Sequence, residues 1–144
     1  MIQWRSLRTL EELNGGRTTL VTTLGIRFTE IGPDFVRGTM PVDERTIQPY
    51  GLLHGGASVA LAETLGSTGA AMSVDASEYQ VVGQEINANH VRAASGGLVT
   101  GTAKPVHIGG RTHVWSIEIV NEAAKLVCIS RLTMAVIKRG ALGT

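Results

Sequence analysis

The sequence predicts an α+β domain in which an antiparallel sheet curls around one central helix. Three observations carry this expectation. Residues 57–73 are rich in the helix formers Ala and Leu, about six stretches rich in β-branched residues surround them, and glycine- or proline-bearing turns separate those stretches. One helix and one sheet each have an apolar face that neither can bury alone, so they must pack on each other.

Taken in order, Thr9-Leu10-Glu11-Glu12 has the spacing of a capping box and starts a short helix that ends near Asn14-Gly15-Gly16. Residues 24–31 and 35–42 flank Gly32-Pro33-Asp34 and form a hairpin. Residues 43–53 are a loop. The main helix follows, with Ala60, Ala62, Gly66, Gly69, Ala70 and Ala71 small enough to admit a curved sheet closely. Residues 81–94, 98–108, 111–120 and 125–137 read as strands of a meander, separated by Ser95-Gly96-Gly97, Gly109-Gly110 and residues 121–124. No internal repeat, low-complexity tract or linker divides the chain, so residues 1–144 form a single domain. An open strand edge in so short a sheet favours pairing with a second copy.

Composition narrows the function. With 144 residues, 43% of them hydrophobic and only 4% aromatic, the core is expected to be built from Val, Ile, Leu and Ala. Thirteen basic residues against 12 acidic ones give a formal charge of +1, which argues against nucleic acid or an anionic membrane surface as a partner. The stretch Met1-Ile2-Gln3-Trp4-Arg5 lacks an apolar signal core and no run reaches membrane-spanning length, so a cytoplasmic protein is expected. Cys128 is the only cysteine, which excludes an intrachain disulfide and a cysteine-based metal cluster; its apolar neighbours read it as a buried structural thiol.

The chemistry-bearing residues begin with His54-Gly55-Gly56, followed nine residues after His54 by Glu63. The glycines allow backbone to approach a ligand, and a helix N-terminus offers unpaired N–H donors and a positive dipole end that together hold a developing oxyanion. Glu63 is the lone charge in Val59-Ala60-Leu61-Ala62-Glu63-Thr64-Leu65, which suits a base or nucleophile. Ser67 lies one turn further on the same face, and Gln48 supplies a polar group in the preceding loop. The structural alternatives are an ion-paired glutamate, a packing serine and a capping histidine. At ~100° per residue, nine positions aim His54 and Glu63 in opposite directions, so two copies in a symmetric dimer would complete each other's sites.

His54, Glu63, His90, His107 and His113 lack the spacing of a metal site, so no metal is expected, and no Gly-x-Ser-x-Gly elbow occurs. His90, Arg92, Lys104, His107 and Arg111 follow the helix as candidates for a phosphate-bearing tail. Arg111 is favoured because Gly109 and Gly110 before it leave room for close approach and supply donors.

Gln48-Pro49-Tyr50-Gly51-Leu52-Leu53-His54-Gly55-Gly56-Ala57-Ser58, Leu61-Ala62-Glu63-Thr64-Leu65-Gly66-Ser67, Asn87-Ala88-Asn89-His90 and His107-Ile108-Gly109-Gly110-Arg111 together closely resemble the hotdog-fold acyl-CoA thioesterases. The resemblance spans almost the whole chain. It is strongest to the bacterial branch that contains dihydroxynaphthoyl-CoA and siderophore-proofreading thioesterases, related to the Arthrobacter-type 4-hydroxybenzoyl-CoA group. It implies a homo-oligomer built as a dimer of dimers, with the acyl thioester between subunits and the coenzyme A nucleotide near the surface. Coenzyme A is then part of the substrate, and no separate cofactor is needed.

Residue by residue, the resemblance implies that Glu63 is the catalytic nucleophile or general base and that Gly55 is the backbone donor to the thioester oxygen. Gln48 and His54 fall at the polar groups around the carbonyl and leaving thiolate, and Ser67 at a hydroxyl that assists the water step. His90 and the Gly109–Arg111 turn fall near the substrate or its nucleotide. Tyr50 stands where phenylalanine is common, and residues 121–125 lack the usual turn glycine. The implied activity is hydrolysis of acyl-CoA thioesters with aromatic acyl groups. A non-catalytic acyl-CoA-binding protein, a carrier-protein proofreading thioesterase and a hotdog dehydratase are the alternatives.

Overall fold

The computed structural model describes residues 2–141. Its elements are α1 (Leu10–Asn14), α2 (Leu20–Thr23), β1 (Arg27–Ile31), β2 (Val36–Pro41), α3 (Gly55–Met72), β3 (Tyr79–His90), β4 (Leu98–Ile108), β5 (Thr112–Val120) and β6 (Leu126–Lys138). The capping box forms as the spacing predicts: Glu12 N–H donates to Thr9 Oγ1 at 3.2 Å and Thr9 N–H to Glu12 Oε2 at 2.7 Å. Asn14 then fixes α1 to β1, since its amide donates to the Phe28 carbonyl and its carbonyl accepts from Phe28 N–H, both at 2.8 Å. The one-turn helix α2, which the sequence reading omits, is held by a similar local bond from Thr19 N–H to Thr22 Oγ1 at 2.9 Å.

All six strands form one antiparallel sheet in the order β1-β2-β4-β5-β6-β3. The expected meander holds for β4, β5 and β6 but not for β3, which pairs with β6 instead of β4. The cause is α3: it follows β2, packs across one face of the sheet and delivers β3 to the far edge. β4 is thereby left to pair with β2, as Val36 opposite Ala103 shows. β3 therefore presents one unpaired backbone edge within the chain, with Gly83, Gln84, Glu85, Asn87, Asn89 and His90 exposed along it.

The helix sits close to the sheet because its inward face is small. Ala62, Gly66, Gly69 and Ala70 are all buried, and a Cβ added at Gly66 would come within 2.7 Å of Leu132. The aliphatic core expected from composition needs correction. Its largest fully buried side chain is Trp115, with Met40, Met72 and Met134 also fully buried, because the glycine notch in α3 makes room for an indole that an alanine-lined helix would exclude. A Cβ at Gly69 would lie 2.6 Å from the Trp115 ring. Gly69→Ala is therefore expected to lower stability by about 1–2 kcal/mol, since overpacking against a rigid ring, at the upper end of the usual ~1–3 kcal/mol, exceeds the ~1 kcal/mol helix-propensity gain. Thermal denaturation checks the sign.

His113 is buried in this core with Nδ1 unpartnered. Burial, with a smaller contribution from His107, lowers its pKa from the usual 6.5. The folded state thus holds His113 neutral where the unfolded chain binds a proton. Its contribution is present above pH 6.5 and is lost as pH falls from there through the lower folded-state value. The wild type should show a steeper loss of stability below that pH than His113→Leu, as chemical denaturation across the window would measure. Cys128 is buried, and burial raises its thiol pKa, which keeps it unreactive.

Candidate active site

The first group of polar residues forms at the start of α3. The loop after β2 closes on itself through a bridge between Ile47 and Leu53, which places Gln48 and His54 at the mouth of the helix. His54 is the N-cap: its Nδ1 accepts from Gly56 N–H at 2.8 Å, so the proton of the neutral imidazole is on Nε2. Ala57 and Ser58 N–H both return to the His54 carbonyl. Gly55 N–H is left as the first-turn donor without a partner among the described residues. Gln48 accepts from Tyr50 N–H through Oε1, which leaves its side-chain NH₂ free to donate outward. The His90 imidazole from the end of β3 covers Gly55, 2.7 Å from where a Cβ would stand.

The second group lies two turns along α3. The Glu63 carboxylate rests directly on Gly83 of β3, in the space that any side chain at 83 would take. It is half-buried and has no ion-pair or hydrogen-bonding partner among the described residues. Ser67, one turn on, donates to Met134 Sδ at 3.6 Å, a weak partner that leaves the hydroxyl available to a better acceptor. Met134 sits opposite Gly83 in the β3–β6 register, which is where β3 bulges: Gly83 pairs with Met134 and Glu85 with Thr133, leaving Gln84 as the extra residue. A groove of about 600 Å³ opens there, lined by Ser67, Thr68, Ala71, Val81, Val82 and Met134 among others.

These two groups are apart within one chain. Gly55 and Glu63 are separated by eight residues of helix, about 12 Å along its axis. Their strand neighbours His90 and Gly83 pair with Cys128 and Met134, about 20 Å apart along β6. Arg111 is exposed beside Gly109 and Gly110, with its carbonyl accepting from Val136 N–H at 2.9 Å. It therefore lies toward the Glu63 end of the sheet and His90 toward the Gly55 end, so one chain does not bring them together. Lys104 and His107 line a separate surface cavity of about 520 Å³. No three His, Cys, Asp or Glu side chains among the described residues converge as metal ligands.

Gly83 and Met134 were not anticipated from sequence as site residues. A signal for Gly83 exists, because a glycine inside a strand marks a bulge or a close approach. Nothing in the sequence alone distinguishes Met134 from a core methionine.

The Thioesterase superfamily matches residues 50–128. The chain is 53% identical over 135 residues to 1,4-dihydroxy-2-naphthoyl-CoA hydrolase of Escherichia coli, covering 93% of this chain and 98% of that protein. It is 49% identical over 134 residues to the proofreading thioesterase EntH of Cronobacter turicensis, covering 92% and 97%. Among solved structures, a thioesterase from Haemophilus influenzae superposes with a TM-score of 0.90 at 47% identity, covering 94% of both chains. A mutant thioesterase from Pseudomonas aeruginosa gives 0.92 at 48%, covering 94% of this chain and 98% of the other.

Proposed function

The chain belongs to the Thioesterase superfamily, with the hotdog fold, and is a thioester hydrolase; from its groove we propose that it cleaves acyl-CoA thioesters carrying aromatic acyl groups. The observation that carries this reading is the unpaired, half-buried carboxylate of Glu63, held on Gly83, which lines a largely apolar groove. The naphthoyl substrate named for the E. coli relative is an aromatic acyl group of this class.

In the proposed mechanism the thioester carbonyl lies against the N-terminus of α3. Gly55 N–H and the positive end of the helix stabilise the charge that gathers on its oxygen. Glu63 either attacks the carbonyl carbon or removes a proton from the attacking water, and the Ser67 hydroxyl orients that water. With water as nucleophile, the C–S bond breaks, Glu63 passes the proton taken from water to the thiolate, and the free acid and coenzyme A leave. With Glu63 as nucleophile, C–S cleavage leaves a mixed anhydride on Glu63, which water hydrolyses to the free acid and the Glu63 carboxylate while one proton of that water goes to the thiolate. His54 Nε2–H and the Gln48 amide supply further donors around the carbonyl and sulfur. Because one chain separates the two groups, Glu63 and Ser67 of one copy act with Gln48, His54 and Gly55 of another. Pairing along the exposed β3 edge supports such a dimer, and a dimer of dimers is the proposed assembly.

Thiol release measured across aryl- and alkyl-CoA thioesters, with carrier-protein thioesters beside them, tests the substrate class. Higher kcat/KM for the aryl-CoA series supports it, and a preference for alkyl chains contradicts it. Gly109 and Arg111 of one copy, together with His90 of another, are proposed to hold the phosphate-bearing part of coenzyme A. Arg111→Ala or His90→Ala should raise KM roughly tenfold, the scale of one charge-assisted hydrogen bond, with a smaller change in kcat. Unchanged KM in both variants would remove that assignment.

A further inference from the structure

The groove beside Glu63 has a wall that the proposed chemistry leaves unused. The segment 5–8 crosses the end of α3 as a strap and is fastened there by specific bonds. Arg5 and Ser6 N–H donate to the Met72 carbonyl at 2.8 and 3.0 Å, Ser6 Oγ donates to the Val74 carbonyl at 2.9 Å, and Ala76 N–H donates back to Ser6 Oγ at 3.0 Å. Four hydrogen bonds on two consecutive residues hold a segment without helix or strand in place. The next two residues, Leu7 and Arg8, then line the groove together with Ser67, Thr68 and Ala71.

Both side chains have unused capacity. Leu7 is 63% exposed, so its side chain is free to be covered by a seated acyl group. The Arg8 guanidinium makes one hydrogen bond among the described residues, Nη2 to the Glu12 carbonyl at 3.0 Å, and keeps its other donors. From Glu63 to Ala71 the helix runs eight residues, about 12 Å, so the strap lies further along α3 than Glu63 does. An acyl group extending along the groove away from Glu63 would run toward Leu7 and Arg8.

We propose that the strap is the distal wall of the acyl groove, with Leu7 covering the ring and Arg8 selecting acyl groups that carry an anionic oxygen at the far edge. This rests on the hydrolase reading above and adds the substituent that the groove prefers. Arg8 does not touch the reacting atoms, so its effect is on selection between substrates.

The test compares benzoyl-CoA with 4-carboxybenzoyl-CoA. In Arg8→Ala the ratio of kcat/KM for the carboxylated over the plain thioester should fall roughly tenfold from its wild-type value, as the loss of one charge-assisted hydrogen bond implies. Arg8→Lys, which keeps the charge, should retain part of that ratio. Leu7→Ala should raise KM for both thioesters by about three- to tenfold and leave their ratio unchanged, because apolar cover does not discriminate by charge. If the wild type hydrolyses both thioesters and the ratio is the same in Arg8→Ala, the strap assignment is overturned while the hydrolase reading stands. If the wild type hydrolyses neither, the aromatic-acyl reading falls and the strap assignment with it.

Discussion

Glu63→Gln should fold like the wild type, bind a non-hydrolysable aryl-CoA analogue with similar affinity, and lose roughly 10²-fold or more in kcat, the usual scale for a positioned base. Glutamine keeps the volume and reach of the side chain on Gly83 but can neither attack a thioester nor accept a proton from water. The split between binding and turnover is the informative part. A carboxylate that served only to anchor the helix would change stability when neutralised, and it would leave kcat near normal. Stopped-flow thiol release on the purified variant, beside its thermal unfolding curve, separates these outcomes.

Gly83→Ala should produce a comparable loss of turnover from a residue that does no chemistry. Its new methyl would occupy the position of Glu63 Oε1. The displaced atom is the end of a flexible side chain, so the fold can yield cheaply and the carboxylate moves instead. A misplacement on the scale of an ångström costs on the order of 10²-fold where attack geometry matters. Kcat is therefore expected to fall by about that factor with the unfolding temperature nearly unchanged. Gly69→Ala, where the obstacle is the buried Trp115 ring, should show the reverse pattern: lower stability with a smaller change in kcat. The pair of glycines thus distinguishes a position that seats a reactive group from one that seats the core.

The sequence made the helix, its cap and most strands legible because each has a local cause. Thr9 and Glu12 satisfy each other's backbone groups, and β-branched runs end at glycine turns. The partner of β3 was not legible, since the choice between β4 and β6 depends on how α3 crosses the sheet and no residue of β3 encodes that. Trp115 likewise took a place that low aromatic content argued against, because the notch at Gly66 and Gly69 exists only once helix and sheet are packed. At the site, His54, Gly55 and Glu63 stood out through spacing and the scarcity of charge around Glu63. Gly83, Met134 and the strap of Leu7 and Arg8 come from distant parts of the chain and meet Glu63 and Ser67 only through the β3 bulge and the end of α3. Arg111 and His90 show the converse, since residues grouped by charge in the sequence lie toward opposite ends of the sheet.

Glu63 is proposed to act with the helix N-terminus of another copy, and mixing two inactive variants distinguishes this from a site within one chain. Gly55→Pro removes the unpartnered first-turn N–H, and proline is tolerated there because Gly55 is the first helical residue and His54 before it is already extended, at φ −69° and ψ 130°. The proline ring would also press on His90, a flexible side chain, so the fold is expected to survive. Each variant alone, Gly55→Pro or Glu63→Gln, should be nearly inactive. After subunit exchange, a hybrid dimer has one site with an intact Glu63 facing an intact Gly55, and thioesterase activity should reappear in proportion to the hybrid fraction. Proven subunit exchange with no recovery of activity would contradict the shared site and place the whole reaction within a single chain.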